Sequence, residues 1–491
     1  MGGGRMKKTQ ISMMILMLLA VLLAGCGAQS SKESAVSHIV WGVFTNQEDS
    51  FPEEWQNGFN ELLKAKGISA EVEFCPVIVD RRAEGLPIGS YQEYGELFAE
   101  RVDGCDLFTD LGVFGFYQYY GNFIRKGLYE PLTPYLETET GTALRESYPE
   151  IFWEAMKANG TIYGVPSRYG IYDRSYGVLR KDAADAYGLT EEDSIGDLEL
   201  LGLARRFSEE QGILYQVPGG ELILPEEFET MWESDLLAAW NNGGEFQVDS
   251  MMENPVIQER IEAYDSYEKE DYWKYRFDPA RNPLFGTYVR SYSPEAAVRT
   301  VCEMYGTDPE EYLAVKHRDL PFRQRGTVTG IWSGSKEKKA AFSVLQAAFS
   351  DPEIAEYLAY GQEGSEYRRE NGFIVTVRPV TENSQIDTRC MTNHLLLTPE
   401  AGEDESKQTV LRDYYEQCQK SILCGVWFDY DAYKTEIKEM SRVVSENGWF
   451  LGAAADGIGI KESLVQMEEQ LSDINLKGLE QEFSGQLREQ K

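Results

Sequence analysis

Apolar positions along the chain alternate between two periods. Residues 38–44 (HIVWGVF) form a β-branched and aromatic run that predicts a buried strand. Residues 45–52 are polar, and from Glu53 to Gly67 the apolar side chains fall at Trp55, Phe59, Leu62 and Leu63, the spacing of one helical face, with Gly67 as a C-terminal stop. Residues 68–79 alternate as a second strand, 91–102 read as a helix, and 106–112 as a third strand that runs into the aromatic stretch 113–120. Strand, helix, strand with short joints predicts right-handed parallel units of an α/β sheet. A helix and turn follow over 123–136, punctuated by Gly127, Pro131 and Pro134, and then a turn and short strand over 159–166.

The N-terminus predicts an address. Arg5, Lys7 and Lys8 precede an apolar run over 11–22, shorter than the ~20 residues a bilayer-spanning helix needs. This is the layout of a cleavable export signal. It ends in Leu23-Ala24-Gly25-Cys26, which resembles the lipobox of bacterial lipoproteins; that resemblance implies a signal peptide over 1–25 and a lipid on Cys26. Residues 27–37 carry four serines and no aromatic residue, a flexible tether.

Composition narrows the function. The 491 residues suffice for about three domains of ~150 residues or two large lobes. With 47 Lys+Arg against 82 Asp+Glu the net charge is −35, which repels phosphate backbones and argues against nucleic acid as a partner. Seven cysteines are too few for a disulfide scaffold, although export permits a bond between Cys418 and Cys424. The three histidines, His38, His317 and His394, are too far apart in sequence for a helical zinc pair, and no hydrolase, Walker or dinucleotide motif occurs. Asp429 and Asp431 begin like a calcium loop, but Lys434 and Met440 occupy positions where that loop needs glycine and glutamate. No catalytic residue, metal or cofactor is expected. With 82 acidic residues a carboxylate pair of glycosidase type is always available, so composition alone leaves a glycan hydrolase open.

A binding cleft for polar ligands needs aromatic platforms and planar hydrogen-bonding groups on loops at the C-terminal ends of strands. Candidates of this kind are Trp41, Asn46 and Glu48 around the end of the first strand, Tyr117 and Tyr119 after the third, Arg168 and Tyr169 directly after the 159–166 strand, Trp240 at a glycine turn, Trp332 before a helix, and Glu363 in a glycine-flanked loop. Core packing competes for Trp41 and Trp240, and an inter-lobe salt bridge for Arg168.

The order of lipobox, tether, first α/β unit, KGLYEPLTPYL over 126–136, NGTIYGVP over 159–166 and LRKD over 179–182 resembles the family 1 extracellular solute-binding proteins of ABC importers. IWSGSKEKKAAF over 331–342, LAYGQEGSEY over 358–367 and an acidic helical tail are similar to its long Gram-positive lipoprotein members. The resemblance implies a two-lobed periplasmic-binding-protein-like α/β fold of type 2, with discontinuous lobes joined by hinge segments. It assigns 38–130 plus 318–385 to the first lobe, 131–317 plus 386–491 to the second, and 26–37 to the lipidated cysteine and tether. It further implies a non-enzymatic, monomeric receptor held on the outer face of the cell membrane through Cys26. Such a receptor captures a mono- or oligosaccharide between its lobes and passes it to a permease. A peptide or other solute receptor, or a signalling receptor, is the alternative.

Overall fold

The computed structural model describes residues 36–45, 51–78, 91–110, 118–219, 225, 227–231, 236–274, 277–278, 280–324, 326–380, 387–446 and 460–491. In chain order the strands of four or more residues are Ser37–Thr45 (β1), Ala70–Ile78 (β2), Leu107–Asp110 (β3), Gly164–Ser167 (β4), Arg174–Arg180 (β5), Phe228–Met231 (β6), Leu237–Asn242 (β7), Glu245–Ser250 (β8), Gly286–Arg290 (β9), Tyr312–Asp319 (β10), Thr327–Ile331 (β11), Tyr367–Glu370 (β12) and Phe373–Thr376 (β13).

The first sheet has the order β2-β1-β3-β11-β4. β1 pairs with β2 and β3 in parallel, as the strand, helix, strand pattern predicts, and the helices Glu53–Ala65 and Tyr91–Arg101 supply the crossovers. β11 and β4 complete the sheet antiparallel to their neighbours. Alternation puts Trp41 and Val43 on one face with Leu107 and Thr109, buried under helix Lys338–Ser350, whose Val344 and Leu345 fill the same core. On the other face Gly42 is bare because the Cys105 sulfur lies 2.6 Å from where a Cβ would stand. Gly330 of β11 is held the same way, its missing Cβ replaced by the ring of Tyr129 at 2.3 Å.

A second core forms from β5, β9 and β10, a three-stranded antiparallel sheet of order β9-β5-β10, and from a sheet of order β8-β7-β6. Leu200, Phe207, Ala238, Ile261 and Trp273 pack there with Met440, Val443 and Phe483 from the C-terminal helices Lys434–Glu446 and Leu476–Glu489. A helix spans Pro255–Lys269, and its Tyr264 is buried edge-on against Trp273.

The chain passes between the two cores three times, at about residues 168–173, 320–326 and 416–422. Leu132, Leu144, Phe152 and Val165 pack in the first core, and so do Met391, Leu395, Leu411 and Tyr415. The hydrogen bonds of β4 to β11 hold 131–167 on the first sheet until its far edge is closed.

Because Gly330 faces the Tyr129 ring within a paired strand, Gly330→Val should overpack the first core and cost about 1–3 kcal/mol, read as a lower urea midpoint with an unchanged m-value.

Candidate functional site

The three passages are bound to one another around a single buried cation. Arg168, 0% exposed, donates from Nη2 to Asp173 Oδ2 at 2.6 Å and from Nη1 to the Arg323 carbonyl at 2.7 Å. Its guanidinium lies 4.6 Å over the Phe322 ring and 5.7 Å over that of Tyr415, so all three passages contribute to its shell. The middle passage is hydrogen-bonded on both sides. Leu320 N–H donates to the Asp173 carbonyl at 2.7 Å, while Phe322 N–H donates to the Gln419 carbonyl at 2.7 Å and Ser421 N–H returns to Phe322 at 2.9 Å. The Tyr414 hydroxyl adds a bond to the Leu320 carbonyl at 3.1 Å. A fully buried guanidinium would be prohibitive without such a partner set.

The passages also touch the second core at strand β6. Arg323 Nη1 donates to the Thr230 carbonyl at 2.9 Å, Ile422 N–H donates to Glu229 Oε1 at 2.9 Å, and the Ser421 hydroxyl reaches the same carboxylate. On the adjoining β7, Trp240 lies flat against Phe228, centroids 4.9 Å apart at 19°. Its indole N–H donates to Asp249 Oδ2 at 2.9 Å, which Asn254 also holds at 2.9 Å. Register puts Trp240, Gln247, Asp249 and Thr230 on one face of this sheet. Trp240 remains half-buried, so a fixed indole with carboxylate and amide neighbours borders the passages.

In the first core, the parallel strands β1, β2 and β3 end together at Thr45, Ile78 and Asp110, beside Thr327 and Ser167, where the first two passages begin. Burial pushes the Asp110 carboxyl well above its ordinary value, although the Val328 N–H at 2.6 Å pulls the other way. The Ser167 hydroxyl and the Gln324 amide, both buried at this edge, meet no hydrogen-bonding protein group among the described residues.

The structure separates the candidates read from sequence. Trp41 is core: fully buried, stacked on Phe74 at 5.3 Å, its N–H donated to Thr109 Oγ1 at 2.9 Å. Arg168 is buried and ion-paired to Asp173 within the first passage. Tyr169 is taken up internally, its hydroxyl donated to Glu400 Oε1 at 2.6 Å and its ring capped by Arg389 at 4.4 Å; burial raises its hydroxyl far above the usual tyrosine value. Trp332 stands at the opposite edge of the first sheet, because antiparallel β11 ends beside the start of β3 and Trp332 N–H bonds the Asp106 carbonyl at 2.9 Å. Glu363 sits by the outlying hairpin β12-β13, 3.5 Å from Arg369 Nε. Trp240 keeps a part-exposed ring beside the passages, and the ring of Tyr169, inside the first of them, is partly exposed too. Asn46, Glu48 and Tyr117 lie outside the described residues, as does Cys26, and of Tyr119 only the backbone is described, in helix Gln118–Arg125. Asp173, Arg323, Gln324, Glu229, Gln247 and Asp249 were not singled out in the sequence. Of these only Asp173, an acid five residues after Arg168 between two strands, left a signal there.

Among the described residues no three His, Cys, Asp or Glu groups come together as a metal site, and no helix is long and apolar enough to cross a membrane. The six described cysteines, Cys418 and Cys424 among them, are free thiols.

No protein-family model matches the chain, and neither does any curated protein. Solved structures do match. The N-glycan transport solute-binding protein of Streptococcus pneumoniae superposes with TM-score 0.67 at 14% identity, covering 92% of this chain and 98% of that one. A solute-binding protein of Bifidobacterium longum infantis, associated with an ABC transporter and binding HMO, gives 0.55 at 13% identity over 92% and 98%. The alginate-binding protein AlgQ2 gives 0.52 at 14% identity over 93% and 98%. At these identities the likeness establishes the fold: a two-lobed, periplasmic-binding-protein-like α/β architecture.

Two outcomes follow from the buried charges. Asp173→Asn leaves the Arg168 cation buried without its counter-charge, and Arg168→Met leaves the Asp173 carboxylate so; each should cost about 3–5 kcal/mol in urea unfolding, and the double variant less than the two together. His394 is buried and held deprotonated, its folded-state value well below 6.5 through burial first and then the Arg168, Lys407 and Arg412 charges. The unfolded chain therefore binds a proton that the folded one refuses, and stability is full above pH ~6.5 and falls below it by up to ~1.4 kcal/mol per pH unit. His394→Gln should flatten the wild-type loss between pH 7 and pH 5, measured by urea titration at each pH.

Proposed function

We propose that this chain is the extracytoplasmic substrate-binding protein of an ABC importer, capturing a carbohydrate between two lobes and delivering it to a membrane permease. The observation that carries this reading is the triple passage knotted at Arg168, which joins two separate cores next to the half-exposed Trp240 face. Three parallel, mutually bonded segments bend together and let two rigid bodies approach without sliding. Ligand touching both lobes then favours the closed form by the contacts it gains only there. The solved neighbours lend support: one transports N-glycan, one binds HMO and one binds alginate.

In this reading the lobes are 38–167 with 327–415, and 174–319 with 423–491. The second lobe offers the Trp240 indole as a platform for the apolar face of a sugar ring, with Gln247, Asp249 and Thr230 for hydroxyls. For the first, the sequence offers Asn46, Glu48, Tyr117 and Tyr119 as its share of the contacts. The chain is a lipoprotein of the long family 1 type, cleaved before Cys26 and tethered by its lipid to the outer face of the membrane. It acts as a monomer and performs no chemistry on its ligand.

A thermal-shift screen with mono- and oligosaccharides, amino acids and short peptides tests the proposal, because a ligand that binds only the folded form raises Tm. A rise with one class of glycan is expected; a rise with peptides alone, or turnover of the glycan, rejects it. Trp240→Ala should weaken the glycan that binds by at least about tenfold, equivalent to ~1.4 kcal/mol, whereas Trp332→Ala, at the far edge of the first sheet, should leave Kd unchanged in calorimetric titration.

A further inference from the structure

The passages enclose more polar atoms than they bond. His394 is 5% exposed and Tyr415 1%, yet both ring nitrogens of His394 and the Tyr415 hydroxyl meet no hydrogen-bonding protein group among the described residues. The same holds for Asp173 Oδ1, the oxygen that Arg168 leaves unused. These groups belong to one neighbourhood. The His394 and Tyr415 rings are 6.2 Å apart, edge to face, and both rest on Phe152, at 6.1 and 4.8 Å. The Arg168 guanidinium joins them, 5.7 Å over Tyr415 and ion-paired to Asp173. Native interiors almost never leave so many buried donors and acceptors unmet, and where protein atoms do not meet them, ordered water does.

The chemistry of the groups chooses between possible guests. A neutral imidazole presents one donor and one acceptor, the phenol one donor with acceptor capacity, and Asp173 Oδ1 an acceptor only. A halide accepts and cannot donate, so it would leave the imidazole acceptor and the carboxylate unmet and would face the Asp173 charge. Nor is there net charge to neutralise. Of the cations facing His394, Arg168 is paired with Asp173 and Lys407 with Glu403, while Arg412 donates to the Ser147 and Leu395 carbonyls with Glu416 as its nearby carboxylate. Water, which both donates and accepts, matches every member of the set, with separate molecules for the two imidazole nitrogens.

We propose that the first core is internally hydrated beside the hinge: ordered water lies against the His394 and Tyr415 rings, near the Arg168–Asp173 pair, and bridges His394 to the Tyr415 hydroxyl. This goes beyond the carbohydrate-binding reading and does not depend on it. Such water lets the side chains beside the hinge adjust by exchanging water-mediated bonds while the direct Arg168 bonds persist.

The test is a crystal structure of the protein at better than ~1.8 Å together with melting of Tyr415→Phe, His394→Leu and the double variant. Solvent density within ~3 Å of the Tyr415 hydroxyl and a His394 nitrogen is expected. Each single substitution should lower Tm, and the double variant should lose less than the two losses together, because both groups hold the same water. An empty site in the density overturns the proposal, and so does a Tm that rises in Tyr415→Phe, the sign of a dry hydroxyl removed. An anomalous peak at the position after a bromide soak also overturns it, by assigning the site to an anion.

Discussion

The architecture depends on one buried ion pair whose remaining partners come from distant segments. Arg168 and Asp173 lie at the two ends of the first passage, yet the guanidinium also needs the Arg323 carbonyl from the second and the Tyr415 ring from the third. A charge so deeply buried is tolerated only with all its partners in place, which makes the joint specific as well as strong. It fixes where the two cores may bend. The first core could form without it, since β1 to β4 and β11 pair among themselves, and so could the second; what the pair decides is their connection.

Parallel pairing places the rest. Because β1, β2 and β3 run in one direction, their C-terminal ends share an edge, and antiparallel β11 and β4 bring the first two passages to that same edge. The C-terminal ends of those three strands and the first two passages are thus neighbours by topology. Strand β6 does the corresponding work in the second core, anchoring two passages through Thr230 and Glu229 while its neighbour β7 carries Trp240.

The local elements were legible in the sequence because periodicity reports local burial. The strand at 37–45, the helix at 53–65 and the alternating strand at 70–78 all stand where the apolar spacing put them. The passages were less legible, because where a chain leaves a sheet is decided by a partner strand more than 150 residues away: β4 stays with the first core through β11. The site candidates divide for the same reason. An aromatic residue in a strand reads alike whether its face is covered, as for Trp41 by its bond to Thr109 and stacking on Phe74, or half-open, as for Trp240. Trp332 read as a helix-leading residue near the cleft, but strand direction, invisible in sequence, carries it to the other edge.

The most direct test of the central claim, that the Arg168 joint is a hinge closed by carbohydrate, is small-angle scattering of the protein with and without a glycan that raises its Tm. The account predicts a smaller radius of gyration with glycan bound and no change with glycans that leave Tm unaltered. An identical scattering curve in the presence of a saturating, stabilising glycan would contradict it.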